Sequence, residues 1–209
     1  MARTQIERSA ETRRAINEAT IRSLVEAGYA STTTSAVCDR AGVSRGALTH
    51  HFSSKQEMMT AAITHLSEVR ERQLSKRASE LADGPDRTQA VIELLWESFT
   101  SDLFYASLEL WNAARTDRAL HETLYRAERD LGARHRVLVA EMFGEPLAAH
   151  PHFDRVVDMM FRQLRGASVT RILRGDAHHE DAVIGDLVTA IAAMTAMSDS
   201  VAGGLDSTS

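Results

Sequence analysis

Cysteine, proline and strand-like alternation are all scarce in this 209-residue chain, and each scarcity excludes something. The single cysteine, Cys38, rules out an internal disulfide. Three prolines and eleven glycines leave long windows without helix breakers, and apolar residues recur at helical spacing with almost no alternating β pattern. The expected fold is all-α. No apolar signal run opens the chain, and no segment approaches the roughly eighteen uninterrupted apolar residues of a membrane span, so a cytoplasmic protein without a membrane partner is expected. Glycine-rich phosphate loops and serine elbows are missing too. Of the nine histidines, His178 and His179 stand beside a turn, His150 and His152 flank Pro151, and none forms a His-x-x-x-His pair with a nearby acid. Neither enzyme activity, a metal nor a cofactor is expected.

What is present is concentrated between Thr33 and Lys55, in TTSAVCDRAGVSRGALTHHFSSK. Thr33 suits the N-cap of a helix from about Thr34 to Arg40, whose inner edge is Val37, Cys38 and Ala41. Gly42 ends it, because glycine takes positive φ without a Cβ clash, and Val43 drops inward as the plug of the turn. Ser44 caps a second helix anchored by Leu48. Arg45, Gly46, Ala47, Thr49 and His50 then point outward, a face rich in donors and poor in large apolar groups, as suits a major groove. An ordinary αα-hairpin fits the same pattern.

The flanks separate the two readings. Arg8 to Gly28 carries Ile16, Ala19, Thr20, Leu24 and Ala27 on one side and Arg13, Arg14 and Arg22 elsewhere, predicting a third helix that backs the pair and closes on Gly28. Ser54, Lys55, Gln56 and Glu57 read as a capping box, which puts Lys55 at the positive N-terminus of a new helix, a place that suits a phosphate. Charge is divided accordingly. The whole chain carries −5, yet Met1 to Lys55 carries +3 and the remainder −8. So modest an excess makes duplex binding depend on placed contacts and on doubling in a dimer.

The order of basic first helix, Gly28-Tyr29, Thr32-Thr33, Ala41-Gly42-Val43-Ser44, Leu48, His51-Phe52 and Ser54-Lys55 resembles the N-terminal domain of the tetracycline-repressor (TetR) family. The likeness covers about Arg8 to Ile63; beyond it only the architecture is similar. It implies a helix-turn-helix DNA-binding domain over residues 1–54 and a helical effector-binding and dimerisation domain over 55–209. Carried over by position, Thr33, Thr34, His51 and Lys55 hold the phosphate backbone of a double-stranded operator, and Arg45, Gly46, Ala47, Thr49 and His50 lie nearest the bases, with Ser44 at the helix start in the same set. Arg45 is the best base reader, since its planar fork can meet guanine O6 and N7 together, although it could instead bind phosphate alone. Two positions depart from the family pattern. Thr49 stands where a tyrosine is usual, which alters affinity or site preference, and Cys38 where alanine is usual, which is small enough simply to pack.

The rest of the chain breaks at Asp83-Gly84-Pro85, Gly144-Glu145-Pro146 and Arg174-Gly175-Asp176. Helices are predicted over Lys55 to Leu81, Arg87 to Tyr105, Ser107 to Ala114, Arg118 to Phe143, Phe153 to Arg174 and Glu180 to Ser198, with a mobile polar tail after Val201. Stripes of Val156, Val157, Met160, Leu164, Ala167 and Ser168, and of Ile184, Leu187, Val188, Ile191, Met194 and Thr195, look too wide for one chain to cover. The last two helices are therefore expected to form an intersubunit four-helix bundle in a homodimer, the alternative being that they pack on their own core. Trp96, Phe99, Leu103, Phe104, Trp111, Tyr125, Met142, Phe143 and Phe161 are candidates to line a cavity for a small, largely apolar effector, with Asn112, Gln163 or Arg165 to orient it; each serves equally as core. Arg115 and Asp117 are expected to fix a helix junction. The family resemblance implies a regulator, most simply a repressor, whose effector changes the separation of two reading heads by moving the helix of Lys55. A protein partner in place of a small molecule is the competing reading.

Overall fold

In a computed structural model of the protein, residues 4–174 and 178–205 are described. Gly175, Asp176 and residues 206–209 lie outside that range, as do the side chains of His178, His179 and Thr195. Among the described residues there are nine α-helices and no strand, and no helix is long and apolar enough to cross a membrane.

Capping accounts for most of the boundaries. Helix α1 (Gln5–Ser31) starts three residues before the expected Arg8, because the Thr4 hydroxyl accepts from the Glu7 N–H at 3.2 Å while the Glu7 carboxylate accepts from the Thr4 N–H at 2.7 Å. Gly28 breaks its regular course with φ 71° and ψ 176°, and the Gly28 carbonyl then receives both the N–H and the hydroxyl of Thr32. Helix α2 (Thr34–Ala41) is capped by Thr33, whose hydroxyl accepts from the Ala36 N–H at 3.2 Å, and stops at Gly42 with φ 67°. In α3 (Arg45–His51) the Ser44 hydroxyl accepts from the Ala47 N–H at 3.1 Å. Helix α4 (Lys55–Ser79) starts with Ser54 accepting from the Glu57 N–H, but Glu57 reaches back to the N–H and hydroxyl of Ser53, one residue beyond the position that a regular capping box would engage.

One expected boundary is corrected. A single helix from Arg87 to Tyr105 is replaced by α5 (Arg87–Phe99) and α6 (Asp102–Ala114), which absorbs the helix expected from Ser107. The Thr100 hydroxyl turns back onto the Trp96 carbonyl, and Ser101 caps α6 by accepting from the Phe104 N–H. Two adjacent hydroxyl residues therefore end one helix and begin the next without glycine or proline. Helices α7 (Arg118–Phe143), α8 (Phe153–Arg174) and α9 (His178–Leu205) complete the order; α9 continues seven residues past Ser198, into the segment expected to be tail.

By packing, the chain forms two units. The first, Met1–Arg72 with Ser101–Arg134, has a core of Ile16, Ala19 and Leu24 from α1, Val37, Leu48 and Phe52, Met58, Met59 and Ala62 from α4, Ala106 and Leu110 from α6, and Leu120 and Leu124 from α7. The helix-turn-helix pair thus shares one core with α6 and the start of α7. The second unit, Gln73–Thr100 with His135–Ser209, is built on Ile92, Leu95 and Trp96 of α5, Val139 and Met142 of α7, and the inner faces of α8 and α9.

That second core corrects the argument from wide stripes. Val156, Val157, Met160, Leu164, Ala167, Leu187 and Ile191 are all buried within the single chain, because α5 packs against both α8 and α9 and covers the stripes that seemed to need a second copy. What α8 leaves exposed lies on its outer face: Val169 at 40%, Ile172 at 56% and Leu173 at 92%. Ile191→Asp, with the native residue 3% exposed, therefore buries a charge in an apolar core and is expected to destabilise the fold by about 3 kcal/mol or more. Thermal unfolding followed by circular dichroism checks this, and an unchanged melting temperature would contradict the packing described.

Candidate nucleic-acid interface

Leu48, 2% exposed, and Phe52 hold α3 from beneath, so the helix can turn only one side outward. Arg45, Gly46, Thr49 and His50 are exposed there, with Ala47 half-buried beside them. Thr33 and Ser44 are exposed at the starts of α2 and α3 with their hydroxyls accepting cap hydrogen bonds, and Thr34 is half-buried. Thr49 is turned inward chemically. Its hydroxyl lies 3.1 Å from both the Arg45 and the Gly46 carbonyls, so its hydrogen is committed to the helix, and towards a duplex the oxygen offers lone pairs that a phosphate cannot use.

His51 closes α3 beside Phe52, half-buried, with burial and then the neighbouring His50 and Arg13 charges holding its pKa below the ordinary imidazole value. At neutral pH its imidazole is therefore mainly neutral, with one ring N–H as a donor. Arg13 is the residue that sequence reasoning placed on α1 without assigning to this surface. Its guanidinium lies 5.2 Å from the centre of the Phe52 ring, bringing a permanent charge to the end of α3. Helical spacing put Arg13 off the apolar face of α1, but nothing in the spacing says that this side meets Phe52. Arg40 of α2 pairs with Glu26 of α1, which ties those two helices together.

Lys55 is engaged inside the molecule. Its ammonium donates to the Tyr29 carbonyl at 2.9 Å and lies 4.3 Å from the centre of the Tyr29 ring. Tyr29 in turn donates its phenol to Asp117 Oδ2 at 2.6 Å and its backbone N–H to Glu109 Oε2 at 3.3 Å. Asp117 also accepts from Gln56 Nε2 at 3.2 Å, and its Oδ1 caps α7 through the Leu120 N–H at 3.0 Å. The expected junction role of Asp117 is what the geometry shows. Burial, then the Asp117 hydrogen bond and charge, push the Tyr29 phenol up to about 12, and the Tyr29 phenol, followed by the Leu120 N–H and Gln56, hold the Asp117 carboxyl below the usual carboxylate range. Burial lowers the Lys55 ammonium, with Asp117 opposing it.

The effector candidates fall in different units. Trp96 and Met142 are buried in the second core, Phe99 and Phe161 pair there with ring centres 5.8 Å apart, and Arg165 is exposed on α8. Leu103, Trp111 and Tyr125 belong to the first unit: Leu103 and Trp111 are half-buried, the Trp111 indole donates to Glu128 Oε1 at 2.9 Å, and Tyr125, 63% exposed, stacks on the His121 ring. Asn112 and Gln163 are exposed. Among the described residues no three His, Cys, Asp or Glu side chains gather as metal ligands.

A capped helix, a left-handed glycine turn and a short helix with an outward polar face define a helix-turn-helix DNA-binding regulator. Comparison with known proteins makes the class specific. The family model described as bacterial regulatory proteins, tetR family, matches residues 16–62. The HTH-type transcriptional regulator CymR of Pseudomonas putida is 32% identical over 178 residues, which cover 83% of this chain and 86% of that one. Among solved structures, a TetR transcription regulator from Haloarcula marismortui has a TM-score of 0.67 at 18% identity, covering 89% and 98% of the two chains. A transcriptional regulator FadR from Bacillus subtilis, in complex with stearoyl-CoA, has a TM-score of 0.65 at 14% identity, covering 85% and 96%. The chain belongs to the TetR family of transcriptional regulators and is not an enzyme.

Because a raised phenol pKa favours the folded state up to the unfolded value near 10 and loses that contribution as pH climbs through about 12, Tyr29 should give a late ionisation step in an absorbance titration at alkaline pH. Tyr29→Phe should remove that step. If the titration curve of the variant differs from the parent's only at lower pH, the Tyr29 to Asp117 bond does not persist in solution.

Proposed function

We propose that this regulator is a repressor: a homodimer that holds a palindromic operator through paired α3 helices and releases it when a small, largely apolar effector binds within residues 55–209. The observation that carries the DNA half of the reading is the outward face of α3, with Arg45 exposed above a buried Leu48. A fixed anchor beneath an exposed guanidinium suits a bidentate contact with guanine, and phosphate contacts from Thr33, Thr34, His51 and Lys55 would set the register. Two such helices about 34 Å apart meet successive major grooves on one side of a duplex. The functional division falls near residue 54, and a reducing cytoplasm suits the buried thiol of Cys38.

Dimerisation through the last two helices now rests on a different face from the one that the sequence suggested. Val169, Ile172 and Leu173 are exposed on α8, and Ala182, Gly185, Thr189 and Ala193 give α9 an exposed row of small residues on which another helix can lie closely. The effector half is supported by the aromatic and methionine content of the second core, around Trp96, Met142 and the Phe99 and Phe161 pair, and by the ability of this fold to hold an acyl-CoA in the Bacillus FadR. An effector relieves repression only through its difference in affinity between the two conformations, for which about 1–3 kcal/mol is ordinary.

Arg45→Ala should cost roughly 1–3 kcal/mol on the operator and far less on unrelated duplex, measured by fluorescence anisotropy at fixed salt. Equal losses on both DNAs would move Arg45 to the backbone. Leu173→Asp should keep the helical circular dichroism of the parent and yield monomers in sedimentation; a dimer unchanged by this substitution would refute the proposed face.

A further inference from the structure

Tyr29 commits each of its polar groups to a different helix. Its N–H goes to Glu109 on α6, its phenol to Asp117 at the α6 to α7 junction, and its carbonyl receives Lys55 of α4. Gly28, immediately before it, has φ 71°, and a Cβ there would stand 3.1 Å from the Glu109 carboxylate, so the chain is threaded closely past α6 at this point. All these residues lie in the first packing unit. Gln56, the neighbour of Lys55, is tied to the same Asp117 oxygen as the phenol.

We propose that Asp117 is a positioning residue for the Lys55 ammonium: by fixing the Tyr29 phenol and Gln56, it sets the carbonyl and ring on which Lys55 docks, and so sets where that charge meets a DNA phosphate. A free lysine side chain samples many rotamers, and that freedom opposes any placed contact. Docking on the Tyr29 carbonyl and ring removes most of it before DNA arrives, while the ammonium retains further N–H donors for a phosphate. The carboxylate that arranges this also caps α7. Displacement of the start of α7 or of α6 therefore reaches Lys55 through these hydrogen bonds as well as through the core that those helices share with α2 and α3. This inference rests on the reading of Lys55 as a phosphate contact, and it adds the residue through which the other helices reach that contact.

The chain has only two lysines, Lys55 and Lys76, so lysine-selective isotope labelling gives two side-chain signals, assigned with Lys76→Arg. In the full-length protein without DNA, the Lys55 signal should be displaced by the Tyr29 ring. Asp117→Asn and Tyr29→Phe should each move it towards the Lys76 position while circular dichroism still shows the parent's helix content. Tyr29→Phe keeps an aromatic ring and leaves the α7 cap alone, so it tests the link even where the Asp117 variant is destabilised. With a short duplex of arbitrary sequence, Asp117→Asn should lower the salt slope of binding by about one, as Lys55→Ala does, and the double variant should lower it no further. An unmoved Lys55 signal, or losses that simply add in the double variant, would overturn the assignment. If the parent protein binds no duplex at low salt, the DNA-binding reading falls, while the lysine signals still decide the positioning.

Discussion

A helix of seven residues has no stability of its own in water, because nucleation costs more than so few hydrogen bonds return. Helix α3 exists because Leu48 and Phe52 are buried in the core that it shares with α1 and α2, and the outward placement of its polar face depends on that burial. The same anchoring makes α3 rigid, with one face turned in and Arg45, Gly46, Thr49 and His50 turned out. Gly42 serves the same end: its left-handed conformation closes the turn, so α2 and α3 can approach closely around Cys38 and Val43.

The helix pair is not an isolated module in this chain. Its core continues into α6 and the beginning of α7 through Ala106, Leu110, Leu120 and Leu124, and the polar ties at Tyr29 run in the same direction. Within the first unit, apolar packing and hydrogen bonds thus join the helix pair to α6 and the start of α7 side by side. Asp117 stands at the α6 to α7 junction, with one carboxylate serving a helix cap, a phenol and an amide.

Much of this was legible in the sequence where a single residue decides local geometry. Thr33, Ser44 and Ser54 cap the helices they were expected to cap, and Gly42 has the positive φ its position called for, since each acts on backbone groups within a few residues. The break at Thr100-Ser101 was missed although its signals are local, because apolar periodicity continues across it and two hydroxyl residues are weaker punctuation than glycine or proline. The stripes of α8 and α9 were correctly identified as buried faces, but assigned to the wrong neighbour. Periodicity states that a face is covered and is silent on what covers it.

The sequence by itself determined the all-α class, the helix-turn-helix and its outward residues, because these follow from hydrophobic period, caps and one glycine, all read within a few turns of helix, and the order of its motifs carried the family resemblance. Tertiary structure alone decided that α5 covers the last two helices, that Arg13 stands over Phe52, that Thr49 spends its hydrogen on its own helix, and that Lys55 rests on Tyr29, whose phenol donates to Asp117. Those contacts join residues many positions apart or depend on rotamers, and side-chain identity along the chain carries no record of which distant groups will meet.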